Sequence, residues 1–163
     1  SFFSYKKSYH RMYFKNAIIF VFLLFTTNLF SQILVDDVGD GWKSQVDSAL
    51  LLIKKTSPEH WTEVENYCTH ITFWLGNFST TTDSSTVMIS TKDIRLNSIN
   101  NLACIIIHET HHLYILNKGI KLTEPKEELE CYLYELKFVN KLKDCEFWLK
   151  AHVIKCINHY SEE

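Results

Sequence analysis

The sequence is poor in the residues that punctuate or loosen a chain. Among 163 residues there are only four glycines and two prolines, while 46% are hydrophobic. That balance excludes a disordered or collagen-like chain and leaves a globular one, of a length that suits one domain. No internal repeat and no low-complexity run is present. A basic stripe is also missing. The formal charge of −2 hides an asymmetry: residues 1–31 carry four basic residues (Lys6, Lys7, Arg11, Lys15) and no acidic ones, and the other 132 carry 13 basic and 19 acidic. A body with a net charge of −6 offers no surface for nucleic acid, and none is expected as a partner.

Metal-binding cysteine patterns are absent too. Cys68, Cys104, Cys131, Cys145 and Cys156 match neither a zinc ribbon nor C-x-x-C, and an odd count leaves at least one thiol free. On one helix Cys145 and Cys156 would stand roughly 16 Å apart, too far to bond each other. Cys104 and Cys131 fall in apolar helical stretches and are expected to be packed thiols. A bridge, if one forms, is expected between Cys68 and Cys145 or Cys156.

No apolar run reaches the roughly 20 residues that span a bilayer. The longest, residues 17–25, follows the basic start and precedes a polar stretch ending at Ser31. Positive flank, short apolar run and small residue describe a secretory signal peptide over residues 1–31, with Met12 as a possible start. Cleavage after Ser31 would leave residues 32–163 as an exported domain, secreted or periplasmic, with no stable membrane span. The alternative is an uncleaved anchor through residues 17–30.

Along that domain, Trp42, Val46, Ala49, Leu50 and Ile53 recur at helical spacing. Ser57-Pro58 opens a short second helix, with serine as cap and proline at the first position. Residues 71–75 and 86–90 are rich in β-branched and aromatic side chains and read as strands, separated by a polar loop. Ser98 can cap a helix running to Asn117 and stopping at Lys118-Gly119. Another helix opens at Glu124-Pro125 and runs to about Lys143, and a last one, capped by Asp144, reaches Tyr160. The pattern is α+β: mostly helical, with a small sheet.

The helix 99–117 is apolar on almost every face except at His108-Glu109-Thr110-His111-His112. A helix apolar all round is buried, and ionisable groups in its middle need a partner. His108 and His112, four apart, lie on one face and can share a metal ion. Glu109 sits about 100° round the helix, where a carboxylate can take a proton from water activated by the metal. His111, three residues after His108, reads as a neighbour of the pair. A catalytic zinc takes three protein ligands and keeps one position open. On a helical wheel the apolar face defined by Leu129, Tyr132, Leu133, Leu136 and Val139 lies roughly 70° from Glu128, 130° from Glu130 and 170° from Glu127. Glu128 is therefore the expected third ligand, and Glu127 and Glu130 are expected in solvent. Two antiparallel helices joined by so short a link bring His112 and Glu128 side by side.

His108-Glu109-x-x-His112 followed by Glu128-x-x-Cys131 resembles the gluzincin branch of the zincin metallopeptidases, over roughly residues 86–135. The family often has Asp after the small residue, where this chain has Tyr132. The resemblance implies a small zincin-like domain binding Zn²⁺ through His108, His112 and Glu128, with Glu109 as general base in peptide hydrolysis. It further implies that a peptide substrate pairs along an edge strand, Thr86–Ser90, just before the active-site helix. A histidine or tyrosine from a later segment would stabilise the transition state, and His152, His159, Tyr132 and Tyr134 are the candidates. The alternative is a non-catalytic, zinc-binding secreted interaction module of the same fold.

Overall fold

The computed structural model describes residues 33–39, 41–93 and 98–162. The expected signal segment, with its alternative as an anchor, lies outside them. Among the described residues no helix is long and apolar enough to cross a membrane.

The chain is α+β. In order it forms β1 (Leu34–Val35), α1 (Trp42–Thr56), α2 (Pro58–Tyr67), β2 (His70–Trp74), β3 (Thr80–Thr81) and β4 (Thr86–Ser90). Three helices complete it: α3 (Ile99–Asn117), α4 (Glu124–Val139) and α5 (Phe147–Ser161). The sheet order is β1-β2-β4-β3. β1, β2 and β4 are parallel, with His70 opposite Thr86 and Trp74 opposite Ser90, while β3 runs antiparallel to β4. The strand before the site helix is therefore not the edge expected from the sequence. Thr80 and Thr81 pair with Met88 and Val87 and cover it, so the edge on that side is the two-residue β3.

α3 is the organising element. It packs against α1, α2, α4, β3 and β4, and its residues Leu102, Ala103, Cys104, Ile106, Ile107 and Leu113 are almost fully buried. Its ends are well specified. Ser98 is the N-cap, its Oγ accepting from the Asn101 amide at 3.0 Å and donating to Glu146 at 2.6 Å, which ties the start of α3 to the start of α5. At the other end Gly119 adopts φ 64°, a left-handed conformation that costs glycine nothing and lets the chain reverse into α4.

α4 differs from its expected face and length. It ends at Val139, and α5 is capped at Glu146 two residues beyond Asp144. Its buried residues are Cys131, Tyr134, Glu135, Phe138 and Val139, whereas Leu133 is 37% exposed. The apolar face drawn from the leucines was thus partly turned outward. Glu128 still falls on the inward side, because it lies three residues before Cys131 and seven before Glu135. All five cysteines are free, so no bridge joins Cys68 to Cys145 or Cys156.

Candidate metal centre

The His/Glu cluster sits in the middle of α3, where the surrounding apolar residues hold the helix in the core. His108 is 7% exposed and Glu109 8%. The helical spacing turns both imidazoles the same way: His108 Nε2 and His112 Nε2 stand 3.3 Å apart. Glu128, in the first turns of α4, faces both. One carboxylate oxygen lies 3.4 Å from His108 Nε2 and the other 3.4 Å from His112 Nε2. The other edge of each ring also meets a carboxylate. His108 Nδ1 is 3.3 Å from Glu135 Oε2, and His112 Nδ1 is 2.7 Å from Glu127 Oε1.

The buried group His108, His112 and Cys131 could hold a metal ion, their donor atoms all lying within 4.8 Å of one another. Cys131 is fully buried one turn after Glu128. Its apolar helical surroundings point to packing alone, although a sulfur three residues after Glu128 is a usable signal.

The charges are strongly coupled. Burial works against the His108 imidazolium, but the Glu128 and Glu135 carboxylates override it and hold its pKa at about 10. His112 is also raised, burial opposing and Glu128 prevailing. Burial likewise works against the Glu128 carboxylate, but the two histidines pull its pKa down to about 2. Glu109 behaves differently. Burial pushes its carboxyl up, and the nearby histidine charges offset this only in part. Burial also pushes the Cys131 thiol up, as do the surrounding carboxylates, so it stays protonated unless a cation replaces the proton.

The remaining sequence candidates divide by position. Tyr132 stands beside the pair, its ring 4.4 Å from that of His108, with its hydroxyl engaged by the Cys156 thiol. Tyr134 stacks on His111 at 4.2 Å, away from that pair. His152 lies 3.7 Å from Cys156 and is exposed, as is His159, whose ring meets Tyr160. His111 itself bonds to Glu63 at 2.7 Å. It lines a cavity of about 730 Å³ shared by α2, α3 and α4, whose wall includes neither His108, Glu109, His112 nor Glu128. Glu130 lines the same cavity and is exposed, as expected. Glu127 corrects the expectation of a solvated side chain: it is 32% exposed and bound to His112. Glu135, a carboxylate on the buried face of α4, is 5% exposed.

Another buried histidine, His60, packs between two helices away from this cluster. Ser57 Oγ and the Tyr134 carbonyl hold its two nitrogens at 2.6 and 3.1 Å, and burial lowers its pKa. It bridges α2 to α4 and leaves no nitrogen for a ligand. No protein-family model matches this chain, and no curated protein does either.

Proposed function

We propose that this protein is an exported zinc-dependent metallopeptidase of the gluzincin type, in which His108, His112 and Glu128 hold Zn²⁺ and Glu109 is the general base. One observation carries the reading: the two Nε2 atoms stand 3.3 Å apart and each lies 3.4 Å from a different oxygen of the Glu128 carboxylate, with Glu109 next to His108 in the helix. Donors arranged tetrahedrally round a zinc ion, with bonds of about 2.0–2.1 Å, stand about 3.3 Å from one another. Two imidazoles and a carboxylate are also the donor set of many hydrolytic zinc sites. The ion, when bound, supplies Lewis-acid polarisation of a carbonyl and lowers the pKa of water.

The chain's own residues do the rest. Glu109 has no hydrogen-bond partner among the described residues, and its raised pKa suits a group that takes up a proton and gives it back. It accepts a proton from the attacking water as the C–O bond forms. It then delivers that proton to the amide nitrogen as the C–N bond breaks. Of the two terminal strands of the sheet, β3 lies beside α3, and substrate pairing is assigned there in place of Thr86–Ser90. Export rests on the basic and apolar character of residues 1–31.

The test combines metal content with peptide hydrolysis for the unmutated protein, Glu109→Gln and Glu128→Ala. Zinc retained and hydrolysis reduced by about 10²–10⁴-fold in Glu109→Gln is the expected result. Glu128→Ala is expected to lose the zinc. Zinc binding unchanged in Glu128→Ala overturns the ligand assignment.

Cys131 favours a second reading, the non-hydrolytic zinc-binding module. The donor atoms of His108, His112 and Cys131 lie within 4.8 Å of one another, and a Cys131 thiolate binding beside the two histidines, with Glu128 as a fourth ligand, would close the site to water as in structural zinc centres. Zinc bound at one equivalent without hydrolysis of a broad peptide library would favour it. A thiolate charge-transfer band in the cobalt-substituted protein, lost in Cys131→Ser, would identify the fourth ligand.

A further inference from the structure

We infer that Glu135 and Glu127 are positioning residues of this metal centre: each accepts the Nδ1 proton of one histidine and so fixes both Nε2 lone pairs towards the same point. The inference rests on the metal site proposed above.

A neutral imidazole has one N–H and one lone pair, and a metal can use only the nitrogen that carries the lone pair. Which nitrogen that is depends on the partner of the other one. An ionised carboxylate can only accept, so a carboxylate against Nδ1 places the proton there and leaves Nε2 free to bind. Both histidines have this arrangement. Glu135 Oε2 lies 3.3 Å from His108 Nδ1, and Glu127 Oε1 lies 2.7 Å from His112 Nδ1. The two Nε2 atoms that remain face each other at 3.3 Å.

Glu135 has little other reason to be where it is. Its side chain is 7% exposed, and a carboxylate so deeply buried is costly without a charged or hydrogen-bonding partner. His108 is its ion-pair partner among the described residues, with the Cys104 thiol also against it. Glu128 and Glu135 are seven residues apart, so one stripe of α4 carries both a ligand to the metal and the support of another ligand. Glu127 sits at the rim, 32% exposed, where water can take over part of its role. Water has less access to replace Glu135. The support of His108 is therefore expected to matter more than that of His112.

The experiment measures zinc affinity by competition with a chromophoric chelator for the unmutated protein, Glu135→Gln, Glu135→Ala, Glu127→Gln and Glu128→Ala. Circular dichroism of the metal-free forms serves as the fold control. Affinity is expected to fall about tenfold in Glu135→Gln, towards about 100-fold in Glu135→Ala, and less in Glu127→Gln. A second readout separates positioning from mere stability. In ¹⁵N spectra of the zinc-loaded protein, the His108 Nδ1–H resonance is expected to shift in Glu135→Gln while His112 stays put, and the reverse in Glu127→Gln. Should Glu135→Ala fail to fold, Glu135→Gln and Glu127→Gln carry the test.

Zinc held by the unmutated protein, lost in Glu128→Ala, yet bound equally well by Glu135→Gln and Glu127→Gln overturns this inference alone. Spectra showing Nδ1 as the metal-bound nitrogen also overturn it. An unmutated protein that binds no zinc overturns this inference together with the functional reading beneath it.

Discussion

Glu109 and Glu128 are the same two kinds of atom group in neighbouring positions, yet their surroundings drive them apart. Burial raises the carboxyl of Glu109, whereas His108 and His112 overcome burial and draw Glu128 down to about 2. Such separation suits one group to proton transfer and the other to permanent negative charge. It also sets a pH signature for the metal-free protein. His108 has a folded pKa of about 10 against an ordinary 6.5, so its contribution is complete below pH 6.5 and is lost as the pH rises through about 10. Glu128, lowered from 4.5 to about 2, contributes above pH 4.5 and loses that contribution as the pH falls through about 2. The two together are largest between pH 4.5 and 6.5, and Glu109, being raised, tilts that plateau towards its acid end. The melting temperature of metal-free protein is expected to be higher at pH 5.5 than at pH 9. Zinc should reverse this order, because it requires deprotonated imidazoles. Melting curves at both pH values, with chelator and with zinc, check both halves. At this scale the meeting of His108, His112 and Glu128 is legible from helical spacing and the wheel, but the contacts of Glu127 and Glu135 are not. Periodicity assigns carboxylates to the surface by default, and what holds these two is the far edge of an imidazole on another helix.

At the scale of the element, α3 was readable from end to end because several local signals agree. Ser98 caps it, apolar residues surround its polar centre, and Gly119 permits the reversal after it. α4 was readable in place but not in orientation. Its leucines suggested one face, while its core contacts are made by Cys131, Tyr134, Glu135 and Phe138. Aromatic and thiol side chains in contact with α2 and α3 outweighed the leucines, a tertiary choice that a single helix does not encode. The shortest strands, Leu34–Val35 and Thr80–Thr81, have too few residues to show any alternation. Because Ser98 serves both α3 and α5, Ser98→Ala is expected to cost about 1 kcal/mol as a cap. It also removes the hydrogen bond to Glu146, leaving Asn100 Nδ2 at 2.8 Å as that carboxylate's side-chain donor across the joint. Urea denaturation should show a lower midpoint with an unchanged slope. A changed slope would mean that the cap does more than stabilise the folded form.

Across the whole molecule the core is built round α3, so whatever is bound there reports on the entire domain. A ligand that binds only the folded form stabilises it by about 2.7 kcal/mol at a hundredfold excess over its Kd. Zinc is accordingly expected to raise the melting temperature in a concentration-dependent way, and a chelator to reverse the gain. Glu128→Ala should abolish that dependence while still melting cooperatively. The α+β class followed from composition and periodicity. Sheet order did not, because the pairing of β3 with β4 depends on a turn within a polar run.

The route by which the centre comes together follows from the reversal at Gly119. His112 and Glu127 are 15 residues apart in the chain, and His108 and Glu135 are 27 apart. Closing a loop of that size costs less entropy than closing a longer one, and low contact order favours fast folding. These four side chains thus belong to one helical hairpin, whose contacts are as local as the pairing of His70 with Thr86 and more local than that of Leu34 with His70. A cation available during folding would meet these side chains while β1 was still unpaired, and would favour the hairpin over competing collapsed forms. The metal would then act as a template for the domain's folding as well as an occupant of the finished one.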